Sequence, residues 1–198
     1  IYHNITPAEF FRGFDERVVR QLEEGRRDLG AVVALADAVW ADSAFNAAEV
    51  AALGARNVKV LPLVFSSGAF DVPADPVVRQ GLSGPSKKIL FVGRMAPNKC
   101  VEELIEAFAW YHKRIERRSD LILVGSERSC PRYFAMLRMF AAELDLTSVS
   151  FVRYASPAGL VAYYEAADLF ATTSRHEGYC LPVVEAMYKG VPVLARSV

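Results

Sequence analysis

The chain has 198 residues, of which 53% are hydrophobic and 23% charged, with 23 basic side chains set against 23 acidic ones. This composition excludes a disordered chain, and its zero formal charge offers no global electrostatic case for nucleic acid. A sizeable folded core is expected, in one large or two small domains.

Residues 8–29 have a helical pattern, with Phe10, Phe11, Phe14, Val18 and Leu22 at helical spacing. The apolar residues 31–40 lead into a short strand at Ala38–Ala41. Ser43 then reads as the cap of a helix that runs through Leu53 and stops at Gly54. A short strand follows at Val58–Leu63. Residues 65–86 hold Gly68, Pro73, Pro76, Gly81, Gly84 and Pro85, which is the composition of a linker.

Beyond the linker, strands and helices alternate. Strands are predicted at Lys88–Gly93, Leu121–Gly125, Val149–Val152, Leu169–Thr173 and Val191–Ala195. Helices are predicted at 100–117, 131–145, 157–166 and 182–189. Leu104, Ile105, Phe108, Tyr111 and Ile115 make one apolar stripe on the first of these. Alternation at this spacing implies an α/β fold with a doubly wound parallel, Rossmann-like sheet. Such sheets bind ligands beyond the carboxyl ends of their strands. The segment 1–64 reads as the C-terminal part of a second Rossmann-like domain, and 87–198 as the main one. The chain opens at Ile1 inside a strand and stops at Val198 just after one, so both ends are expected to be cut from a longer protein.

Cys100, Cys130 and Cys180 are odd in number and widely spaced, which suits neither a disulfide framework nor a zinc site. A reducing, cytoplasmic compartment is expected. No stretch of about 18 apolar residues suggests a membrane span. The basic run Lys113–Arg118 is best read as a solvated helix end; peripheral contact with the inner membrane face is its less favoured reading.

Two loops at predicted strand ends carry chemistry. In the first, Gly93 permits a sharp exit, and Arg94 and Lys99 bring two cations to the edge where the next helix starts. Cations there, with the positive end of that helix, would clamp a diphosphate; a basic surface loop is the plain alternative. The second runs from His176 through Glu177, Gly178, Tyr179, Cys180 and Leu181 to Pro182, and Glu185 stands one turn into the following helix. Carboxylates accept paired hydrogen bonds, which suits the vicinal hydroxyls of a ribose or hexose. Dinucleotide, P-loop and hydrolase motifs are missing, and no Asp-x-Asp occurs to hold a donor through a metal.

These loops resemble a known family. Glu177-Gly178-Tyr179 followed by Glu185-Ala186, Val92-Gly93-Arg94 followed by Lys99, the pair Ala167-Asp168, and Ser174 occur in the order and spacing of the group 1, family 4-like type of GT-B-fold retaining glycosyltransferases. The resemblance covers Ile89 to Ala195 most closely and makes that stretch the donor-binding domain, with 1–64 the end of the acceptor domain. It implies that Arg94 and Lys99 hold the donor diphosphate, that Glu185 binds ribose hydroxyls, and that Glu177 with Gly178, Tyr179, Cys180 and Leu181 meets the donor sugar. His3 is similar to a strand-end histidine that touches the same sugar. One departure stands out: Phe151-Val152 is followed by Arg153-Tyr154, where the family often has glycine beside the base.

The activity so implied is transfer of a hexose from a nucleoside-diphosphate sugar to a glycan or lipid-linked acceptor, with retention and without metal or cofactor. Two rivals stand beside it: a nucleotide-sugar epimerase on the same fold, and a donor-binding module without activity of its own.

Overall fold

A computed structural model describes residues 1–197. The chain divides into two units, one of Ile1–Phe65 with His176–Cys180, the other of Ser66–Arg175 with the residues from Leu181 on. Among the described residues, no helix is long and apolar enough to cross a membrane.

In the first unit, the helix expected from residue 8 is broken. A 3-10 turn at Ala8–Phe11 ends where Gly13 takes φ +80°, a conformation other residues rarely adopt. Asp15 then restarts the chain as α1 (Glu16–Ala34), its side chain accepting from the amides of Arg17 and Val18. β1 (Val39–Ala41) pairs in parallel with β2 (Val58–Val60), and α2 (Ala44–Ala52) connects them. Ser43 caps α2 by accepting from the Asn46 amide at 3.2 Å, as its sequence position implies. Tyr2 forms a parallel bridge with Ala41. Tyr2, Leu29, Val33 and Val50 make the core of this unit.

In the second unit, the segment predicted as a linker contains α3 (Pro76–Gly81). Asp75 caps it from the Val77 and Val78 amides, and proline begins it. The Asp75 amide donates to the Ala158 carbonyl at 3.0 Å, which ties the segment to the rest of the unit. Its glycines and prolines therefore punctuate an ordered segment.

The remaining elements follow the predicted alternation closely: β3 (Lys87–Val92), α4 (Val101–Arg114), β4 (Ser119–Val124), α5 (Pro131–Glu143), β5 (Val149–Val152), α6 (Pro157–Ala166), β6 (Leu169–Thr172), α7 (Leu181–Tyr188) and β7 (Val193–Ala195). All five strands are parallel, in the order β5-β4-β3-β6-β7. Strand order thus reverses at β3 and β6. Right-handed crossovers place α4 and α5 on one face of such a sheet and α6 and α7 on the other.

Leu90, Leu121, Leu123 and Phe170 are fully buried on these strands. At the start of β6, Asp168 braces the sheet: one carboxylate oxygen accepts from the Lys88 amide and the other from Lys87 Nζ, each at 2.8 Å.

Phe170 stacks on Tyr164, with ring centroids 6.2 Å apart. Phe170→Ala is expected to cost about 3–5 kcal/mol through lost burial and the cavity left behind. Urea unfolding should show it as a lower midpoint with an unchanged slope.

Candidate functional site

The first loop is anchored by its own apolar residues. Gly93 donates to the Val124 carbonyl at 2.9 Å, and Met95 to the Ser126 carbonyl at 3.2 Å. Met95, Ala96, Pro97 and Asn98 are buried, which leaves the Arg94 side chain in solvent and Lys99 half-buried. A Cβ on Gly125 would stand 1.7 Å from the Gly93 carbonyl oxygen, so the exits of β3 and β4 touch at a point that only glycine permits.

The exit of β6 is bound to this loop. Thr173 Oγ1 donates to the Cys100 carbonyl at 2.8 Å, and the Arg175 amide donates to the Asn98 carbonyl at 3.0 Å. The two chemistry-bearing loops therefore leave the same edge of the sheet from neighbouring strands.

The amino end of α4 has partners inside its own unit. Its first amide, on Val101, donates to the Tyr133 hydroxyl at 2.8 Å, and that hydroxyl is bonded to Glu102. Glu103 is paired with both Arg175 and Arg196. The Arg196 hydrogen bond first, then the Coulombic pull of both arginines, holds the Glu103 carboxyl below the usual carboxylate range against the opposing effect of burial. The first amide of α4 is thus met from within the protein, and Arg94 and Lys99 are the cations of the loop before it. Cys100, Glu102 and Glu103 bring three donor atoms within 4.8 Å, but these carboxylates are taken by Tyr133 and the arginines. Burial pushes the Cys100 thiol up, which keeps it protonated.

Glu185 lies on the inner part of α7. Its Oε2 accepts from the Tyr164 hydroxyl at 2.7 Å, and Tyr164 is itself fully buried. Burial raises the Glu185 carboxyl above its ordinary value, and the Tyr164 hydrogen bond pulls the other way. Leu181, expected at the donor, is the half-buried first residue of α7.

Glu177, Gly178, Tyr179 and Cys180 fall in the first unit with His3, whereas Gly93, Arg94, Lys99, Leu181 and Glu185 fall in the second. Glu177, Tyr179 and Cys180 are half-buried, and Cys180 takes the left-handed φ of +59°. Within the first unit Gly178 is closely packed: a Cβ there would lie 2.9 Å from the His3 carbonyl oxygen and 3.5 Å from Asp42 Oδ2. The His176 ring is 6.5 Å from that of Phe10.

Sequence reasoning missed three residues. Asp42 and Asn46 are buried polar side chains beside His3, and buried Tyr164 braces Glu185. An aspartate at the end of an apolar strand, just before a helix cap, was the available signal for Asp42.

The family model described as glycosyl transferases group 1 matches residues 78–198. A D-inositol 3-phosphate glycosyltransferase of Nocardia farcinica is 36% identical over 122 residues, covering 60% of this chain and 27% of its own. A mannosylfructose-phosphate synthase of Agrobacterium fabrum is 26% identical over 146 residues, covering 70% and 32%. Among solved structures, sucrose-phosphate synthase of Thermosynechococcus elongatus is similar with a TM-score of 0.76 at 25% identity, over 100% of this chain and 49% of that one. HepE of Anabaena, in complex with UDP and glucose, shares the fold with a TM-score of 0.73 at 24% identity, over 98% and 51%. The chain spans less than a third of these curated relatives and about half of these solved chains.

The raised Glu185 carboxyl fixes the sign of a pH effect. A group whose folded pKa is raised favours the folded state most while protonated, and that contribution is lost as pH rises through the folded value. Glu185→Gln keeps an acceptor for Tyr164 and removes the charge. It is expected to be more stable than the parent at neutral pH, with the difference closing as pH falls towards the ordinary carboxylate value of 4.5. Urea unfolding across that range checks it; a constant difference would show that burial of the carboxylate is not felt.

Proposed function

The chain belongs to the group 1 glycosyltransferase family, on the GT-B fold, and from that premise we propose that it carries the donor side of an enzyme transferring a hexose from a nucleoside-diphosphate sugar to a hydroxyl of a glycan or lipid-linked acceptor. The observation that carries this reading is the junction of β3 and β6. The Arg94–Lys99 loop and the chain leading to Glu185 leave adjacent strands at the reversal of strand order, where open α/β sheets bind their ligands. The D-inositol 3-phosphate glycosyltransferase of Nocardia farcinica, named for sugar transfer, supports the same class.

In this reading the bond between the anomeric carbon and the diphosphate oxygen breaks, and its electron pair leaves with the diphosphate. The acceptor oxygen bonds to the anomeric carbon, and its proton passes to the departing diphosphate oxygen. Arg94 meets the departing charge with a two-pronged guanidinium and Lys99 with a point charge, in place of a metal. Glu185 takes ribose hydroxyls, its carboxylate steered by Tyr164. Glu177, the Gly178–Leu181 backbone and His3 take the sugar. The family resemblance favours retention at the anomeric carbon. The proposed setting is the cytoplasm. Trp110, exposed on α4 near Lys113 and Arg114, supports a peripheral contact with the inner membrane face.

A thermal-shift panel of UDP-, GDP- and ADP-sugars on this chain tests donor binding, since a ligand at 100 times its Kd adds about 2.7 kcal/mol. One base is expected to stabilise the chain, and Glu185→Ala to weaken that nucleotide about 10–100-fold, as for a lost hydrogen bond to a charged group. Equal nucleotide affinity in the parent and Glu185→Ala would sink the ribose assignment. In the full-length protein, Lys99→Ala is expected to slow transfer about 10²–10³-fold, as for loss of one stabiliser of developing charge. Turnover of the sugar nucleotide without acceptor would point to an epimerase instead.

A further inference from the structure

His3 has an environment that a strand-end residue does not need. Its side chain is 56% exposed, yet Nδ1 lies 3.2 Å from Oδ2 of Asp42, whose side chain is only 3% exposed. The other carboxylate oxygen of Asp42 accepts from Nδ2 of the fully buried Asn46. Asn46 accepts in turn from the Asn4 side chain at 2.6 Å. Asn4 sits immediately after His3 with φ +84°, a conformation that asparagine tolerates better than most residues. Buried carboxylates are costly unless paired. Here the cost supports an imidazole that remains open to solvent.

Chemistry then sets the tautomer. A carboxylate only accepts, so Nδ1 of His3 must carry the proton, and neutral His3 presents the Nε2 lone pair outward. We infer that Asp42 is the positioning residue for His3, holding Nδ1–H so that Nε2 accepts a hydrogen bond from a donor-sugar hydroxyl beside the Glu177–Cys180 loop. Gly178 places that loop next to the pair: its backbone runs so close to the His3 carbonyl and Asp42 that a Cβ would fit only with displacement. The inference rests on the preceding reading for the identity of the sugar; the pairing itself stands on this geometry. Asn46 acts behind Asp42 as its brace.

The test uses this chain, labelled with ¹⁵N. Long-range ¹H–¹⁵N correlation spectra at about pH 8, where an ordinary imidazole is neutral, report which nitrogen holds the proton. The His3 signals are identified by their loss in His3→Gln. The parent is expected to show His3 as the Nδ1–H form. In Asp42→Asn the new amide donates to Nδ1, and His3 is expected to switch to Nε2–H; a residue serving only as packing would leave the tautomer unchanged.

The second readout compares UDP-glucose, GDP-mannose and ADP-glucose with UDP, GDP and ADP by calorimetry. Asp42→Asn should weaken the bound sugar nucleotide about fivefold, as for one lost neutral hydrogen bond, and leave its nucleoside diphosphate unchanged. An Nε2–H form in the parent, or an unchanged tautomer in Asp42→Asn, would overturn the inference. The parent spectrum decides alone should Asp42→Asn fail to fold. Failure of all six probes to bind the parent would count against the nucleotide-sugar reading, whereas the nitrogen shifts judge the Asp42–His3 pairing separately.

Discussion

The parallel pairing of β3 with β6 is the constraint on which the second unit depends. These strands are far apart in sequence, and their connecting helices go to opposite faces of the sheet, which opens a crevice at their carboxyl ends. Asp168 secures the pairing at one end of the strands through the Lys88 amide and Lys87. Thr173 and Arg175 secure it at the other through the carbonyls of Cys100 and Asn98. Chemistry at the carboxyl edge is therefore held by backbone acceptors whose positions the sheet dictates.

Charge at this edge is arranged by the same logic. Tyr133 accepts from the first amide of α4 and donates to Glu102, and Glu103 collects Arg175 and Arg196. Those two guanidiniums are spent on an internal carboxylate, while Arg94 projects from a loop whose neighbouring side chains are buried. Glu185 shows the opposite economy: it is half-buried, raised by that burial, and oriented by a buried tyrosine.

Much of this was legible in the sequence because it is local. The run Ile89-Leu90-Phe91-Val92 announces a buried strand, the stripe from Leu104 to Tyr111 announces a helix, and Ser43 announces a cap; all three appear, the strand within a residue of expectation and the helix ending early at Arg114. α3 was hidden because glycine and proline dominate its flanks, although Asp75-Pro76 carries a cap and a first-turn proline. The partner of the first α4 amide was illegible because that residue, Tyr133, comes from the next helix. Asp42, Asn46 and His3 meet across some forty residues, and the membership of His176–Cys180 in the first unit spans far more. No periodicity encodes such meetings; they follow from the fold.

The contact between the Gly93 carbonyl and Gly125 sets the launching point of the first loop from outside the loop itself. An oxygen wedged against a neighbouring strand stays put whatever residues come after it. Met95, Ala96, Pro97 and Asn98 are constrained by their burial, and exposed Arg94 is the position that can be rewritten in the course of descent, with a new charge or shape, from an unmoved starting line. Variation in the charge the loop presents is uncoupled from variation in where the loop begins, and one missing methyl group just past the adjacent strand is what permits it.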